Sequence, residues 1–166
     1  MKKWILMIAL TTGLIAGDLD KSRTVGFQIN PIYWGSAGFS YFNHEKGYEI
    51  ALPFFFLPDA FYADLKYRQY DDGRIGGFHY GGFMRLSYMN GKIENERKNA
   101  RITKVGLGGE LGYKVVNLWD IKGLYWGSSL SVGMHLSDNN DRFEEAFLGD
   151  SIAIVDIEFM KLGYAF

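Results

Sequence analysis

Ser151-Ile-Ala-Ile-Val-Asp-Ile-Glu-Phe-Met-Lys-Leu-Gly-Tyr-Ala-Phe166 closes the chain and decides how the rest of it is interpreted. Counted back from the end, apolar or aromatic side chains fall at every second position: Phe166, Tyr164, Leu162 and Met160. Small or polar residues fill the positions between them. Because side chains alternate across an extended chain, this pattern predicts a β-strand with one apolar face.

In the middle of the same stretch, the alternation of apolar residues shifts by one position. Its first half is apolar at odd positions: Val155, Ile157 and Phe159. One extra residue around Phe159 and Met160, a β-bulge, would place both apolar sets on the same face. Asp156, Glu158 and Lys161 would then all lie on the opposite face. We therefore predict a bulge at this point of the last strand.

Composition favours a β-rich chain of a single domain. The 166 residues include 17% aromatic residues and 21 glycines but only 3 prolines. Aromatic residues suit strands, and glycines suit tight turns and crowded barrel interiors. The 18 basic and 19 acidic residues nearly balance, which gives no support for nucleic-acid binding. The absence of cysteine excludes disulfides and thiolate metal sites.

The N-terminus predicts export from the cytoplasm. Lys2 and Lys3 precede a short apolar run that begins at Trp4 and gives way to small residues. A basic start followed by a short apolar core is typical of a secretory signal peptide. We assign residues 1–17 to the signal peptide and residues 18–166 to the mature domain.

Eight segments of the mature chain alternate in the manner of strands. The first seven cover residues 25–33, 37–41, 48–56, 61–68, 78–88, 104–115 and 124–136, and the closing stretch is the eighth. Most of these segments approach the ~9–11 residues that a tilted membrane strand requires. Pro31 lacks an N–H, so we expect an irregularity there. The two longest polar connections, residues 90–101 and 138–150, are the fifth and the seventh, which lie at the same end of an antiparallel barrel.

The two faces of these segments differ sharply. The face opposite the apolar one carries nearly balanced charges: Glu49, Asp64, Lys66, Arg68, Arg85, Lys104, Glu110, Lys114, Asp156, Glu158 and Lys161. The apolar face has aromatic residues near strand ends: Tyr33, Tyr67, Tyr88, Trp126 and Tyr164. Interfacial aromatic girdles have this character in membrane barrels. We predict an apolar exterior and an interior filled by an ion-paired charge network that conducts no ions.

The strand count, the alternation and the closing Tyr164-Ala165-Phe166 resemble small outer-membrane β-barrels of the OmpX and OmpA membrane-domain type. The resemblance implies an all-β, eight-stranded, antiparallel up-and-down transmembrane β-barrel in the outer membrane of a Gram-negative bacterium. It implies outer-membrane lipids as surroundings and Tyr164 and Phe166 as the assembly signal for the barrel-assembly machinery. It implies a structural or surface-interaction role, in which residues 90–101 and 138–150 would bind any extracellular ligand. It implies no cofactor.

Two alternatives stay open. His135 and Ser137, followed by Asp138, Glu144 and Glu145, resemble the His-x-Ser pair and later acid of outer-membrane lipid A deacylases, in which a base activates a hydroxyl nucleophile. The alternation places His135 on the interior face, away from lipid, which favours a protein without enzymatic activity. The second alternative is a secreted lipocalin-like barrel with its apolar face inward.

Other chemistry has little support in the sequence. The three histidines, His44, His79 and His135, have no clustered carboxylates at ligand spacing, so we predict no metal site. Neither a Gly-x-Ser-x-Gly elbow nor a glycine-rich loop leading into a helix occurs.

Overall fold

The computed structural model describes residues 23–30, 36–57, 60–71, 76–92, 99–137 and 153–166. Within these ranges the chain forms eight strands: β1 Arg23–Asn30, β2 Ser36–Asn43, β3 Tyr48–Leu57, β4 Ala60–Tyr70, β5 Gly77–Lys92, β6 Asn99–Val116, β7 Leu124–Ser137 and β8 Ala153–Ala165. Each strand pairs antiparallel with the next, and β8 pairs with β1 to close a barrel. The predicted all-β, eight-stranded, antiparallel up-and-down barrel is confirmed. No helix in the described part of the chain is long and apolar enough to cross a membrane.

The barrel closes where the two ends of the described chain meet. Phe27 pairs with Tyr164 and Ile29 with Leu162 across the β1–β8 seam. The Phe166 N–H donates to the Val25 carbonyl at 3.0 Å, and the Val25 N–H donates to the Phe166 carbonyl at 3.2 Å. The final residue therefore completes the hydrogen-bonded ladder, which leaves no free sheet edge there.

Antiparallel order gives the barrel two distinct ends. We call the end where β1 begins and β8 finishes the proximal end. It also carries the connections 44–47, 71–76 and 117–123, the last of which includes a 3₁₀ turn, Leu118–Asp120. The other end, the distal end, carries the remaining four connections. The predicted irregularity at Pro31, the aromatic residue Tyr33 and the connection 138–150 lie outside the described residues, as does the predicted signal peptide.

The predicted bulge in the last strand is confirmed. Gly127 of β7 pairs with Lys161, whereas Ser129 pairs with Glu158, so two residues of β8 lie opposite Ser128 alone. Those two residues are Phe159 and Met160. Asp156, Glu158 and Lys161 are all buried inside the barrel as a result.

The prediction that residues 90–101 form a loop is wrong in its bounds. β5 continues to Lys92 and β6 begins at Asn99, and these ends pair with each other. The fifth connection is therefore residues 93–98, which is as long as the proximal connection 71–76 and shorter than 117–123, and only the seventh is long. Backbone hydrogen bonds between two strands do not require alternating apolar side chains. The alternation in the sequence therefore did not predict these ends of β5 and β6.

Residues 90–92 and 99–104 form a two-stranded extension at the distal end. β4 reaches only Met89 of β5, and β7 reaches only Val105 of β6. Beyond those points β5 and β6 pair only with each other within the described ranges.

Polarity is inverted relative to a water-soluble domain. Large apolar side chains are exposed around the whole outer wall, with examples in every strand: Phe27, Phe39, Leu52, Leu65, Met84, Leu107, Val132 and Phe159. The buried side chains are mostly polar or charged. A lipocalin-like barrel would have the opposite arrangement, so the burial pattern argues against that alternative.

Candidate functional site: the interior charge network

The interior holds all eleven charged residues that the alternation assigned to it. Ten of them are buried, and Arg85 is half-buried. They come from β3, β4, β5, β6 and β8. The buried polar residues of β1, β2 and β7 are uncharged, for example Gln28, Ser40 and Ser131. The charges form clusters that are joined by shared residues.

The first cluster surrounds Glu49 near the proximal end. Lys114 Nζ donates to both carboxylate oxygens of Glu49, at 2.9 and 3.0 Å. The Tyr70 hydroxyl donates to Glu49 at 2.6 Å, and Arg68 Nη1 donates at 3.3 Å. Glu49 is fully buried, so its charge is stabilised by these donors and not by bulk water.

Aromatic rings enclose the cation of this cluster. Lys114 Nζ lies 4.3 Å from the Phe42 ring centroid, 4.4 Å from that of Tyr125 and 5.6 Å from that of Tyr70. A ring face attracts a cation most strongly where water is excluded. The rings and Glu49 together compensate the buried ammonium group and fill the proximal part of the interior.

The second cluster is centred on Glu110. Lys66 Nζ and Arg68 Nε each donate to its carboxylate at 2.5 Å, and the Ser131 hydroxyl donates at 3.0 Å. His79 Nε2 lies 3.5 Å from the same carboxylate. Because Arg68 also reaches Glu49, it bridges the first and second clusters.

Glu158 extends the second cluster to the last strand. Lys161 contacts its carboxylate, the Ser129 hydroxyl donates to it at 2.8 Å, and Lys66 Nζ lies 3.5 Å away. Lys161 and Glu158 can share this site only because the bulge puts both on the interior face.

The third cluster lies toward the distal end around Arg85. Its guanidinium donates to Asp64 through two bonds of 2.7 and 2.8 Å and to Asp156 at 2.6 Å. The Tyr62 ring packs on the guanidinium, with 4.6 Å from its centroid to Cζ. A bidentate guanidinium–carboxylate pair is geometrically rigid, so this cluster spans the interior from β4 through β5 to β8.

The charges of the network nearly balance, with one more cation than carboxylates. Its five carboxylates, Glu49, Asp64, Glu110, Asp156 and Glu158, face six cations, Lys66, Arg68, Arg85, Lys104, Lys114 and Lys161. Within the described ranges, no group of three or more histidine, aspartate or glutamate residues could hold a metal ion. These pairs occupy the interior of the barrel, and the hydroxyl groups of Ser129 and Ser131 are hydrogen-bonded to its carboxylates and lysines.

Several network members were missed by considering charge alone. Tyr70, Ser129 and Ser131 donate to its carboxylates, and Phe42 and Tyr125 cover Lys114. The alternation of faces along a strand could have identified Tyr70, Ser129 and Ser131. Tyr70 continues the interior positions 64, 66 and 68 of β4, and Ser129 and Ser131 are two positions apart in β7.

The pairing of β6 with β7 concerns the two residues of the hydrolase alternative that the structure describes. His135 pairs with Gly106, but Ser137 pairs with Val105, so the register shifts between them. Because Val105 and Gly106 are consecutive, Leu136 is an extra residue of β7 at this point, as in a β-bulge. Asp138, Glu144 and Glu145 lie outside the described residues. A catalytic role for His135 and Ser137 stays an untested prediction.

Fold and site together define a small, closed, eight-stranded β-barrel with an ion-paired interior and an apolar outer wall. No protein-family model matches the chain, and comparison with curated proteins and with solved structures likewise gives no match.

Proposed function

We propose that the protein is a transmembrane β-barrel of a Gram-negative outer membrane, with a structural or surface-interaction role and a plugged, non-conducting interior. One observation carries the proposal: the exposed outer wall is apolar while the buried interior is charged. In water, an apolar side chain left exposed forgoes about 25 cal/mol of stabilisation per Å² of its surface. In hydrocarbon the same wall is favourable.

Closure of the sheet supports this placement. A membrane-spanning structure has to satisfy every backbone N–H and carbonyl within itself, which among sheets only a closed barrel does. The hydrogen bonds between Val25 and Phe166 complete that closure. The aromatic residues Tyr67, Trp126 and Tyr164 lie toward the proximal ends of their strands, and Tyr88 lies toward the distal end of β5, where girdles at two membrane surfaces would be.

The interior network supports the absence of conduction. An eight-stranded barrel is only wide enough for its own side chains. Here the side chains of Arg68 and Arg85 cross the interior and bond to more than one strand. An ion would have to displace these pairs in order to pass.

The β5–β6 extension supports a surface-interaction role. Among the residues that the structure describes, residues 90–92 and 99–104 pair on one side only, with each other. The connections 93–98 and 138–150 lie at the same end, and we include them in the proposed binding surface for an extracellular partner.

Expression of the full chain in a Gram-negative host tests the proposal. The protein is expected to sediment with outer membranes on a density gradient and to remain there after washing with alkaline carbonate. Its mobility in a detergent gel is expected to change on boiling, because a closed barrel resists detergent until heated. Recovery as a monomer in the soluble periplasmic fraction would refute the assignment.

A further inference from the structure

The connection between β6 and β7 contains the most strained backbone in the described chain. Asn117, Trp119 and Asp120 have φ angles of 55°, 54° and 62°, in the left-handed region, although none of them is glycine. Asparagine and aspartate tolerate this region because their short polar side chains bond locally, whereas a bulky aromatic residue does not. The strain is therefore greatest at Trp119.

Hydrogen bonds hold this connection in place. The Asp120 N–H donates to the Asn117 carbonyl at 3.1 Å, and the Gly123 N–H donates to the Asn117 side-chain oxygen at 3.1 Å. The Ala165 N–H donates to the Gly123 carbonyl at 2.8 Å, which fastens the end of the turn to β8. The turn is thus fixed by hydrogen bonds within itself and to β8 at the proximal end.

Trp119 has almost no packing within the described chain. Its side chain is 77% exposed, and that of Ile121 is 49% exposed. Exposure of a large apolar side chain and a left-handed backbone both cost free energy. Strain of this kind is characteristic of positions with a functional task, which points to a binding partner outside the chain.

We propose that Trp119, with Ile121 beside it, anchors the proximal end of the barrel in the headgroup region of the bilayer. This inference rests on the proposed function above. Tryptophan combines an apolar ring with an N–H donor and therefore favours the boundary between hydrocarbon and water. The exposed Asp120 and Lys122 beside it suit the polar side of that boundary.

Continuity with the outer wall identifies lipid as the occupant. The same end of the barrel carries the exposed aromatic residues Tyr113 and Tyr164 and the half-buried Trp126 on the outer faces of β6, β7 and β8. Trp119 lies between β6 and β7, so the exposed or half-buried aromatic residues of this end follow one another along the chain from Tyr113 through Trp119 to Trp126. A soluble partner on the water side would have no need of this continuity.

Because the chain has no cysteine, a single spin label can be placed without removing any native residue of that type. We would label Trp119→Cys, with Val132→Cys on the exposed wall and Glu45→Cys in another proximal turn as matched controls. In phosphatidylcholine–phosphatidylethanolamine vesicles, label relaxation by oxygen reports hydrocarbon and relaxation by a nickel chelate reports water. The ratio at position 119 is expected to lie between the ratios of the two controls.

The ratios at the two control positions separate failure of the Trp119 anchor from failure of the membrane barrel. A ratio at position 119 equal to that at position 45 overturns the anchor and leaves the membrane barrel intact, and it would point to a protein partner on the water side. A ratio at position 132 that is also dominated by the chelate refutes the membrane barrel itself.

A measurement that keeps the native side chain guards against effects of the label. In a variant with Trp4, Trp34 and Trp126 replaced by phenylalanine, all tryptophan emission comes from Trp119 and can be excited selectively over tyrosine. The emission is expected to fall more with lipids brominated near the headgroup than with lipids brominated near the methyl end. Unchanged emission with both lipids, combined with full quenching by aqueous acrylamide, would overturn the anchor. A companion variant that keeps only Trp126 shows whether the wall itself contacts lipid.

Discussion

Gly163 shows how closely single residues are fitted inside the barrel. A Cβ at this position would overlap the buried ring of Tyr125 on the neighbouring strand. Gly163→Ala is therefore expected to destabilise the barrel by about 1–3 kcal/mol, because neither the backbone nor the ring can move away freely. Denaturant unfolding in detergent micelles measures this change.

Gly109 provides the matched control for that substitution. A Cβ there would meet only the Gly81 carbonyl oxygen, at 3.7 Å, which is ordinary contact. Gly109→Ala is expected to leave the free energy of unfolding nearly unchanged. Equal effects of the two substitutions would show that the Tyr125 ring does not restrict position 163.

Glu49 is the residue whose charge the proximal cluster depends on most. Glu49→Ala would leave the buried cations of Lys114 and Arg68 without their shared carboxylate. Removal of one partner from a buried ion pair costs about 3–5 kcal/mol, and we expect a loss of that size in the free energy of unfolding. Glu45→Ala, in the exposed turn between β2 and β3, is the control and should have little effect. Similar unfolding midpoints for both variants would contradict the importance of the network.

At the scale of an element, β8 offers a test of its bulge. Deletion of Met160 removes the extra residue and leaves Glu158 and Lys161 two positions apart, so both keep the interior face. Deletion of Ile157 instead forces part of the strand onto the wrong face, because a shift of one residue reverses the alternation. We expect the first variant to fold and the second to fail, as judged by circular dichroism and by heat-dependent gel mobility. Failure of both would mean that the bulge itself is required.

The end of β8 separates the stability of the barrel from its assembly in cells. Phe166→Ala keeps the backbone bonds to Val25 but removes the ring that stacks on Tyr164 at 6.3 Å. If the aromatic ending is an assembly signal, this variant is expected to refold in detergent like the parent yet accumulate poorly in the outer membrane. Leu162→Ala, a substitution of similar size in the same strand, is the control. Normal accumulation of the Phe166 variant would contradict the signal.

The strands show what the sequence could and could not predict. Apolar alternation revealed eight strands, their faces and the bulge, because burial on one side imposes period-two constraints on sequence. The distal ends of β5 and β6 were missed because residues 90–92 and 99–101, which pair through their backbones, have no alternating apolar pattern in the sequence. The turn at Trp119 was also missed, since left-handed φ angles at non-glycine residues have no composition signature.

The sequence predicted which charged residues lie in the interior better than it predicted which of them are in contact. The alternation along each strand placed Glu49 and Lys114 on interior faces, but the two residues are far apart in sequence and come from β3 and β6. Whether they meet depends on the tilt and register of four strands, which alternation within one strand does not reveal. The role of Arg68 as a bridge between Glu49 and Glu110 follows from the same three-dimensional arrangement.

For the whole molecule, the connected clusters lead to a prediction about ion flow. With the interior crossed by paired cations and carboxylates, the purified protein in a planar bilayer is expected to give no steady single-channel current. Insertion must be verified in the same membrane, for example by protease protection of the reconstituted protein. Sustained current steps at constant voltage would refute the plugged interior while leaving the membrane location untouched.

The meeting of Val25 and Phe166 has a further consequence for the whole chain. Because Phe166 is joined to the start of β1 by reciprocal backbone hydrogen bonds, it can be linked covalently to the segment that leads into β1, and new ends can be opened in the short turn 44–47. Such a circular permutant would preserve every neighbouring pair of strands while moving the Tyr-Ala-Phe sequence to the interior of the polypeptide. It would therefore reveal whether a cell recognises that sequence itself or its position at the end of the chain.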